Sequence, residues 1–476
     1  MSFRSALAVA AWVWAELAGL WFAHPQTPSG GAGPGTGNSS GPSLNAAASP
    51  GAGRVELGQA MAMAQQQTQL RLGPLGRTGD LSVTGTFTNG VCTVLEADAV
   101  TGPWRPAKNV FTISPGTNFT IRLSDSNRFY RALAVELSPG RVGFTNLIES
   151  YGLLSTVAGA GGATDESNKW QPEFENAPAT NVLLSGPHIA MADAAGNIYI
   201  ADKNAHAIRK VRPDGILVTV AGTNAPGDAP DDWSPATQVG LYWPNGLWVQ
   251  PDGTVYILDL GNSKVRVLAT NGLMRTLFSV PGGILAGRGL WVSPDASLVY
   301  VASLMTVKKW TPTGGVTDYA FGFTELGNLV VDPNGYLVVT DRGGHSVWRV
   351  FEDGSRVRIA GNGTPSNSPG GGDGGLATLT GLDGVRGVWF LPNGAFFVCT
   401  HRGSQVWYVD PGGYIHLFLN GHRSETHAGD GTWFYNPYEY RVSECRAVTV
   451  DHESNLLLTE HDAGYVRKVQ FLRYQR

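Results

Sequence analysis

A segment of one design recurs about six times between residues 187 and 469. It consists of an apolar run, a Gly turn, a second apolar run ending in a short polar residue, and a basic strand. The cleanest copy runs from Pro187–Ala192 through Gly196 and Ile198–Asp202 to His206–Pro213, and closes on Thr219-Val220-Ala221-Gly222. Repetition on this scale constrains the fold more than any single residue, because each unit buries its apolar faces only against its neighbours.

Further copies begin at Pro244, Gly287, Leu329, Val385 and Cys445, and the third is short before Val307. Each is punctuated by hairpin signals such as Pro251-Asp252-Gly253, Pro333-Asn334-Gly335 and Pro392-Asn393-Gly394. Runs such as Leu290-Trp291-Val292 and Val388-Trp389-Phe390 are apolar on successive residues, so both faces of those strands are buried. Antiparallel four-stranded units covered on both faces are the blades of a β-propeller. The sixth copy ends one strand short, and Leu154-Ser155-Thr156-Val157-Ala158-Gly159, ahead of the first copy, matches Thr219–Gly222. The chain is therefore expected to be all-β: a six-bladed ring over residues 147–476, closed by a strand from residues 151–160 that removes a free sheet edge.

Ile198–Asp202, His206–Val211 and Thr219–Gly222 resemble the NHL-repeat family of six-bladed propellers. The likeness extends over about two-thirds of the chain, is closest in copies one and four, and is weakest in copy three. It implies an interaction platform for protein or RNA. The family also has a metal-dependent lyase branch and distant lactonase-like relatives.

Composition narrows the setting. Sixty-three glycines in 476 residues suit a chain of many turns, and 15% charged residues is low for a cytosolic enzyme. A net charge of −4 supplies no basic field, which argues against nucleic acid as a partner. Cys92, Cys399 and Cys445 make no disulfide framework, and Cys399, inside an apolar strand, reads as a small buried hydrophobe. Arg4 precedes the apolar Ala6–Ala15, Glu16 interrupts, and Leu17–Ala23 resumes, so residues 1–24 read as a signal peptide or an uncleaved membrane anchor. Either places the working part outside the cytoplasm, secreted or periplasmic.

Residues 25–53 are a Gly/Pro/Ser-rich linker, and residues 80–137 alternate as a small β-unit. Thr101-Gly102-Pro103-Trp104 and Arg128–Ala132 resemble β-sandwich modules of secreted bacterial proteins. A unit this small is near the lower limit for an independent core, so it is expected to lean on the propeller.

Function narrows to one face of the ring. Connections 160–187, 223–244, 362–384 and 421–445 are long, whereas those before copies three and four are short, and long loops on one face of a repeat array mark its binding side. Thr180, Thr237 and Thr378 share one spacing ahead of the inner strand, with Leu184, Leu241 and Leu382 at the midpoint, expected to plug the blade tops. Gly371–Gly375 and Gly429-Asp430-Gly431 read as Asx-stabilised turns rather than calcium sites, which need more oxygens than these clusters supply.

The residues entering the six inner strands, which face the channel, are His188, Asn245, Arg288, Gly327, Arg386 and Arg446. Three guanidinium forks at equivalent places suit carboxylate or phosphate recognition. They equally suit pairing with an acid of the next blade or loop, such as Glu460 or Asp383. A second ring, Asp202, Asp259, Ser303, Asp341, Thr400 and Glu460, is read as structural, each acid accepting backbone N–H groups two residues on. His206 and His345 are read the same way.

Enzymatic signals are sparse. The lyase branch binds zinc through inner-strand histidines, and here only His188 stands at such a position. Asn245 and Glu325 suit a lactonase-like ion site, but three arginines beside the ion repel it. No Gly-x-Ser-x-Gly elbow is present, and His422, His427 and His461 match no metal motif. We therefore expect a binding module for a protein, peptide or glycan, without a cofactor. The loop aromatics Trp233, Trp243, Trp433 and Tyr438 support it, since Trp and Tyr are enriched at interfaces. The alternative is a metal-dependent lactonase- or lyase-like enzyme with a divalent ion on the axis and a small anionic substrate.

Overall fold

The computed structural model describes residues 70–73, 76, 79–121, 128–162, 166–421, 428–434 and 440–472. The leader and linker at residues 1–53, Tyr438, His422 and His427 lie outside them. Among the described residues no helix is long and apolar enough to cross a membrane.

Six antiparallel sheets follow one another along the chain. Blade 1 is Pro187–Ala192, Ile198–Asp202, Ala207–Val211 and Leu217–Ala221, from channel to rim. Blades 2 to 5 repeat this order from Pro244, Leu290, Leu326 and Val385. Blade 6 takes Cys445–Val450, Leu456–Glu460 and Tyr465–Val469 from the end of the chain and Leu153–Ala158 from before the first blade. Val469 pairs with Leu154 and Arg467 with Thr156, so the ring closes on the strand the repeats call for. Inner strands pack one against the next, and the sixth against the first. The molecule is a six-bladed β-propeller.

Blade 3 is short for a local reason: Ser303 pairs directly with Thr306, where blade 1 has Asp202 opposite Ala207. Its inner strand is also trimmed, to Leu290–Val292.

The long connections are anchored. Short 3-10 turns at Ala179–Asn181, Ala236–Gln238 and Ala377–Leu379 carry the repeated motif. Gly159, Gly222 and Gly361, at the ends of outer strands, donate their N–H to the carbonyls of Ala179, Ala236 and Ala377. Leu184, Leu241 and Leu382 are fully buried above their blades. The connections are thus built surfaces rather than loose loops.

The second ring is structural, with a different partner from the one its sequence suggests. Asp202, Asp259, Asp341 and Glu460 accept the N–H of Ser185, Tyr242, Thr324 and Ser443, each 17 residues earlier. Those are the residues that lead into the inner strands, so this ring fixes the channel mouth. The oxygens left over in blades 1, 2 and 6 accept from Arg209, Arg266 and Arg467, all fully buried. His206 and His345 likewise reach forward: their Nδ1 atoms accept from the Trp243 and Gly384 N–H groups of the next blade.

Ahead of the ring, Gly90–Ala97 lies between Arg105–Thr112 and Phe129–Glu136, and Asp80–Thr84 between Arg71–Leu72 and Gly116–Thr120. Leu81, Val83, Cys92, Val94 and Tyr130 are buried where these two sheets pack together. A helix, Arg141–Ser150, then leads to the ring. The unit shares its other core with blades 5 and 6: Phe111 stacks on Phe471 at 4.3 Å and Phe144 on His416 at 4.6 Å. Each buried aromatic contributes about 1.5–3 kcal/mol, so a small sheet pair of marginal core gains its stability by docking. Arg141 also pairs with Asp373 at 3.0 Å, which occupies one carboxylate of the Gly371–Gly375 cluster.

Candidate functional site

Inner strands begin with a β-bulge: register shifts lie between Pro187 and Ala190, Pro244 and Gly246, Leu326 and Leu329, Val385 and Gly387, and Cys445 and Ala447. A bulge adds one residue and resets the alternation of faces. Residues three apart along these strands then share the axial face, and the channel acquires two layers. The upper layer is His188, Asn245, Arg288, Gly327, Arg386 and Arg446. The lower layer contains Trp248, Trp291 and Trp389.

The lower layer is a floor. Trp248 stacks on Trp389 at 5.8 Å and tilts against Trp291 at 5.9 Å. Blades 2 and 5 stand opposite each other in the ring, so a stack between them crosses the axis. The channel is a cup, open on the long-loop face.

The upper layer is charged. Arg386 is 2% exposed, and its Nε and Nη1 make no hydrogen bond within the protein. Its nearest acid oxygen, Glu444 Oε1, is 3.8 Å from Nη1. Burial, then the charges of Arg446, Arg288 and Arg342, push its pKa well below the ordinary guanidinium value against the pull of Glu444. An arginine does not shed its proton in a protein, so this measures an unfavourable charge density. Those three arginines come from blades 6, 3 and 4, which places all four side chains around the axis.

Arg446 Nη2 lies 2.8 Å from Glu444 and 3.2 Å from Asp462. Arg288 and Arg342 share Glu325, at 3.0 and 2.5 Å. Burial raises the Glu325 pKa, but the hydrogen bond and charge of Arg342, then Arg288, carry it below the carboxylate norm. The acids at the mouth therefore include Glu325, Glu444 and Asp462. Glu460, suggested by sequence, instead pairs with Arg467 in the body of its blade.

Three histidines complete the rim. His188 meets His461 edge to face at 4.4 Å, and His401 contacts Glu444. Burial first, then neighbouring positive charge, lowers all three pKa values far below the imidazole norm, so the rings are neutral. The remaining upper positions are structural. Asn245 Nδ2 donates to the Gly287 carbonyl at 2.6 Å, tying blade 2 to blade 3. A Cβ at Gly327 would collide with Thr340 Oγ1 and the Arg386 carbonyl.

Glu444, His461 and Asp462 bring their ligating atoms within 4.8 Å of one another. Both carboxylates already face Arg446, so a cation there would lie against that guanidinium.

The loop aromatics do not form one patch. Trp243 is 41% exposed, with Lys203 Nζ 5.8 Å from its ring, beside the mouth. Trp233 flanks a short strand added to the outer edge of blade 2, and Trp433 lies in one added to blade 6. Trp170 stacks on Arg209 at 3.4 Å, and Phe434 and Tyr440 are buried.

Sequence reading did not recognise two sets of equivalent mouth positions, although it named Trp243, Glu325 and His461 singly. One follows the second ring: Lys203, Arg342, His401 and His461. The other stands two residues before the upper layer, where Gly186, Trp243, Ala286 and Gly384 take φ values of 72, 54, 46 and 68° and blades 4 and 6 substitute Glu325 and Glu444. A register alignment of the six copies at those two offsets carries the signal. Two clefts lie elsewhere, of about 400 Å³ between the β-unit and blade 6 and about 1040 Å³ between blades 3 and 4. Neither contains a mouth arginine.

With the ring and its mouth in hand, relatives can be placed. A family model described as the teneurin NHL domain matches residues 148–270. Teneurin-3 of Danio rerio is 29% identical over 248 residues, 48% of this chain and 8% of that protein. The chain is thus similar to NHL-repeat propellers over its first blades. Teneurin-1 of Gallus gallus is 28% identical over 180 residues, 34% of this chain and 6% of its own length. This NHL propeller thus spans under a tenth of the teneurins it matches. Among solved structures, a protein of unknown function from Bacteroides thetaiotaomicron superposes with a TM-score of 0.54 at 13% identity, covering 85% of this chain and 98% of that one. An auxiliary nutrient binding protein from Bacteroides ovatus gives 0.50 at 13% identity, covering 86% and 99%. Both likenesses establish the fold.

Proposed function

We propose that this NHL propeller is an exported binding module, which takes a protein, peptide or glycan ligand on its long-loop face. The observation that carries this reading is the convergence of anchored connections, a half-exposed Trp243 and an arginine-lined cup on one face. Pre-organised surfaces lose little ordering entropy on binding, and aromatic and arginine side chains supply the strongest anchors. Export rests on the apolar leader and on the low charge content. The test is capture from the native exterior and from a glycan array. The wild-type protein is expected to retain a ligand that Trp243→Ala releases at least tenfold more readily. Equal retention by the variant removes the face from the reading.

The cluster of Glu444, His461 and Asp462 motivates the second reading, a metal-dependent lactonase- or lyase-like enzyme. Elemental analysis of the full chain purified without added metal separates the two. Stoichiometric divalent metal favours the enzyme, and its absence favours the binding module.

A further inference from the structure

The cup has more donors than its own acceptors use. Among the described residues, the guanidinium groups of Arg288, Arg342, Arg386 and Arg446 and the ammonium of Lys203 face the carboxylates of Glu325, Glu444, Asp462 and Glu166. Beyond Arg386 Nε and Nη1, the Nε atoms of Arg288, Arg342 and Arg446 are buried without a hydrogen-bond partner among the described residues. Leaving one buried charge this poorly matched is costly, and here several converge. A second guanidinium of the same kind would add only repulsion, and a cation would add more.

We propose that the cup is the receptor site for a compact oxyanion of two or more negative charges, carrying carboxylate or phosphate groups, anchored by Arg386 and flanked by Arg288 and Arg446. This rests on the binding-module reading and specifies the ligand chemistry at its centre.

Three features define the ligand. Arg288 and Arg446 approach from blades 3 and 6, which stand opposite, so oxygens are needed on more than one side of the molecule. Guanidinium forks recognise carboxylate and phosphate alike, each with paired N–H donors. The tryptophan floor one layer below stops a chain from threading through, so the anionic end is small, with any carbon skeleton resting on Trp248 and Trp389. The neutral histidines add donors and acceptors without adding charge. Glu325 and Glu444 hold the outer arginines in place while leaving Arg386 free to bind. Arg386 is fixed from behind, because Thr340 Oγ1 donates to its carbonyl at 2.7 Å.

Calorimetric titration of the full chain with citrate and with inorganic phosphate tests this. The expected result is saturable one-to-one binding of at least one anion, weakened by added salt. Arg386→Gln and Arg446→Gln are each expected to lose tenfold or more in affinity. Arg212→Gln, on an exposed hairpin of the opposite face, removes the same charge and is expected to bind as wild type. Citrate alone binding assigns a polycarboxylate ligand, and phosphate alone a phosphorylated one; both support the proposal. No saturable binding of either anion by folded wild type overturns it, as does wild-type affinity in both mouth variants. If Arg386→Gln fails to fold, Arg288→Gln and Arg446→Gln, nearer solvent, decide the matter. Loss of the anion site with retained, Trp243-dependent ligand capture would sink this proposal alone and leave the binding module standing.

Discussion

Two sets of three arginines in this ring do different work. Arg209, Arg266 and Arg467 sit on the third strands of blades 1, 2 and 6, fully buried and ion-paired, with only Arg209 Nη2 left without a hydrogen bond. Each meets the second-ring acid of its own blade at 3.0–3.2 Å. Arg266 adds Asp228 and Asp231, Arg467 adds Asp430, and Arg209 lies against Trp170. In blades 4 and 5 the same register position is Trp348 and Trp407, and in blade 3 it is Lys308. In the other set Arg288 shares Glu325 with Arg342, Arg446 meets Glu444 and Asp462, and Arg386, between them, has its nearest acid oxygen among the described residues 3.8 Å away. The same side chain holds a blade together when its charge is answered within the blade, and is available to a ligand when it is not.

Breaking a matched arginine has the largest expected effect. Arg266→Met leaves Asp259 buried and unpaired, and is expected to cost about 3–5 kcal/mol in denaturant unfolding, with anion affinity unchanged. A loss below about 1 kcal/mol would put Arg266 in the same class as the mouth set. The converse substitution, Arg386→Met, removes an unmatched buried charge. Stability is expected to hold or rise by about 1–2 kcal/mol while anion binding disappears. A large loss of stability would instead show that Glu444 already answers that charge.

Blade 5 allows the matched device to be transplanted. Trp407→Arg alone sets a guanidinium against Thr400 and is expected to destabilise by about 2–3 kcal/mol. Adding Thr400→Asp is expected to recover about half of that, a coupling that a double-mutant cycle measures. Purely additive losses would deny that acid and arginine act as a pair.

The smallest effect is on pH. His188, His401 and His461 titrate well below the ordinary value of 6.5 in the folded chain, because burial and the mouth charges disfavour their cationic forms. Below pH 6.5 the unfolded chain therefore binds more protons than the folded one, and stability falls as pH drops from 7 to 5. His461→Asn is expected to flatten that slope in melts across the range. An unchanged slope would place the proton uptake elsewhere.

The ring was legible because a propeller repeats its strands in register, and Leu154–Gly159 carries the pattern of the strand it replaces. The upper layer of the channel was legible for the same reason. Its partners were not. Glu325 and Glu444 occupy a position that other blades give to left-handed residues, so they look like loop residues until the copies are aligned there. The tryptophan floor was hidden by the bulge, since plain alternation puts Arg386 and Trp389 on opposite faces. Asp202 and its equivalents read as local turn formers because their true N–H partners lie a whole connection away. Trp433 belongs to, and Trp233 flanks, a short added strand at a blade rim, which nothing in the repeat announces.

Whether Arg386, whose Nε and Nη1 find no hydrogen-bond acceptor among the described residues, is open to an anion can be read by melting the full chain at rising inorganic phosphate or citrate and constant ionic strength. A ligand that binds only the folded state raises the melting temperature with the logarithm of its concentration above Kd. The account predicts such a rise for the wild type and for Arg212→Gln, and a flat response for Arg386→Gln. A flat wild type, or an equal rise in Arg386→Gln, would contradict it.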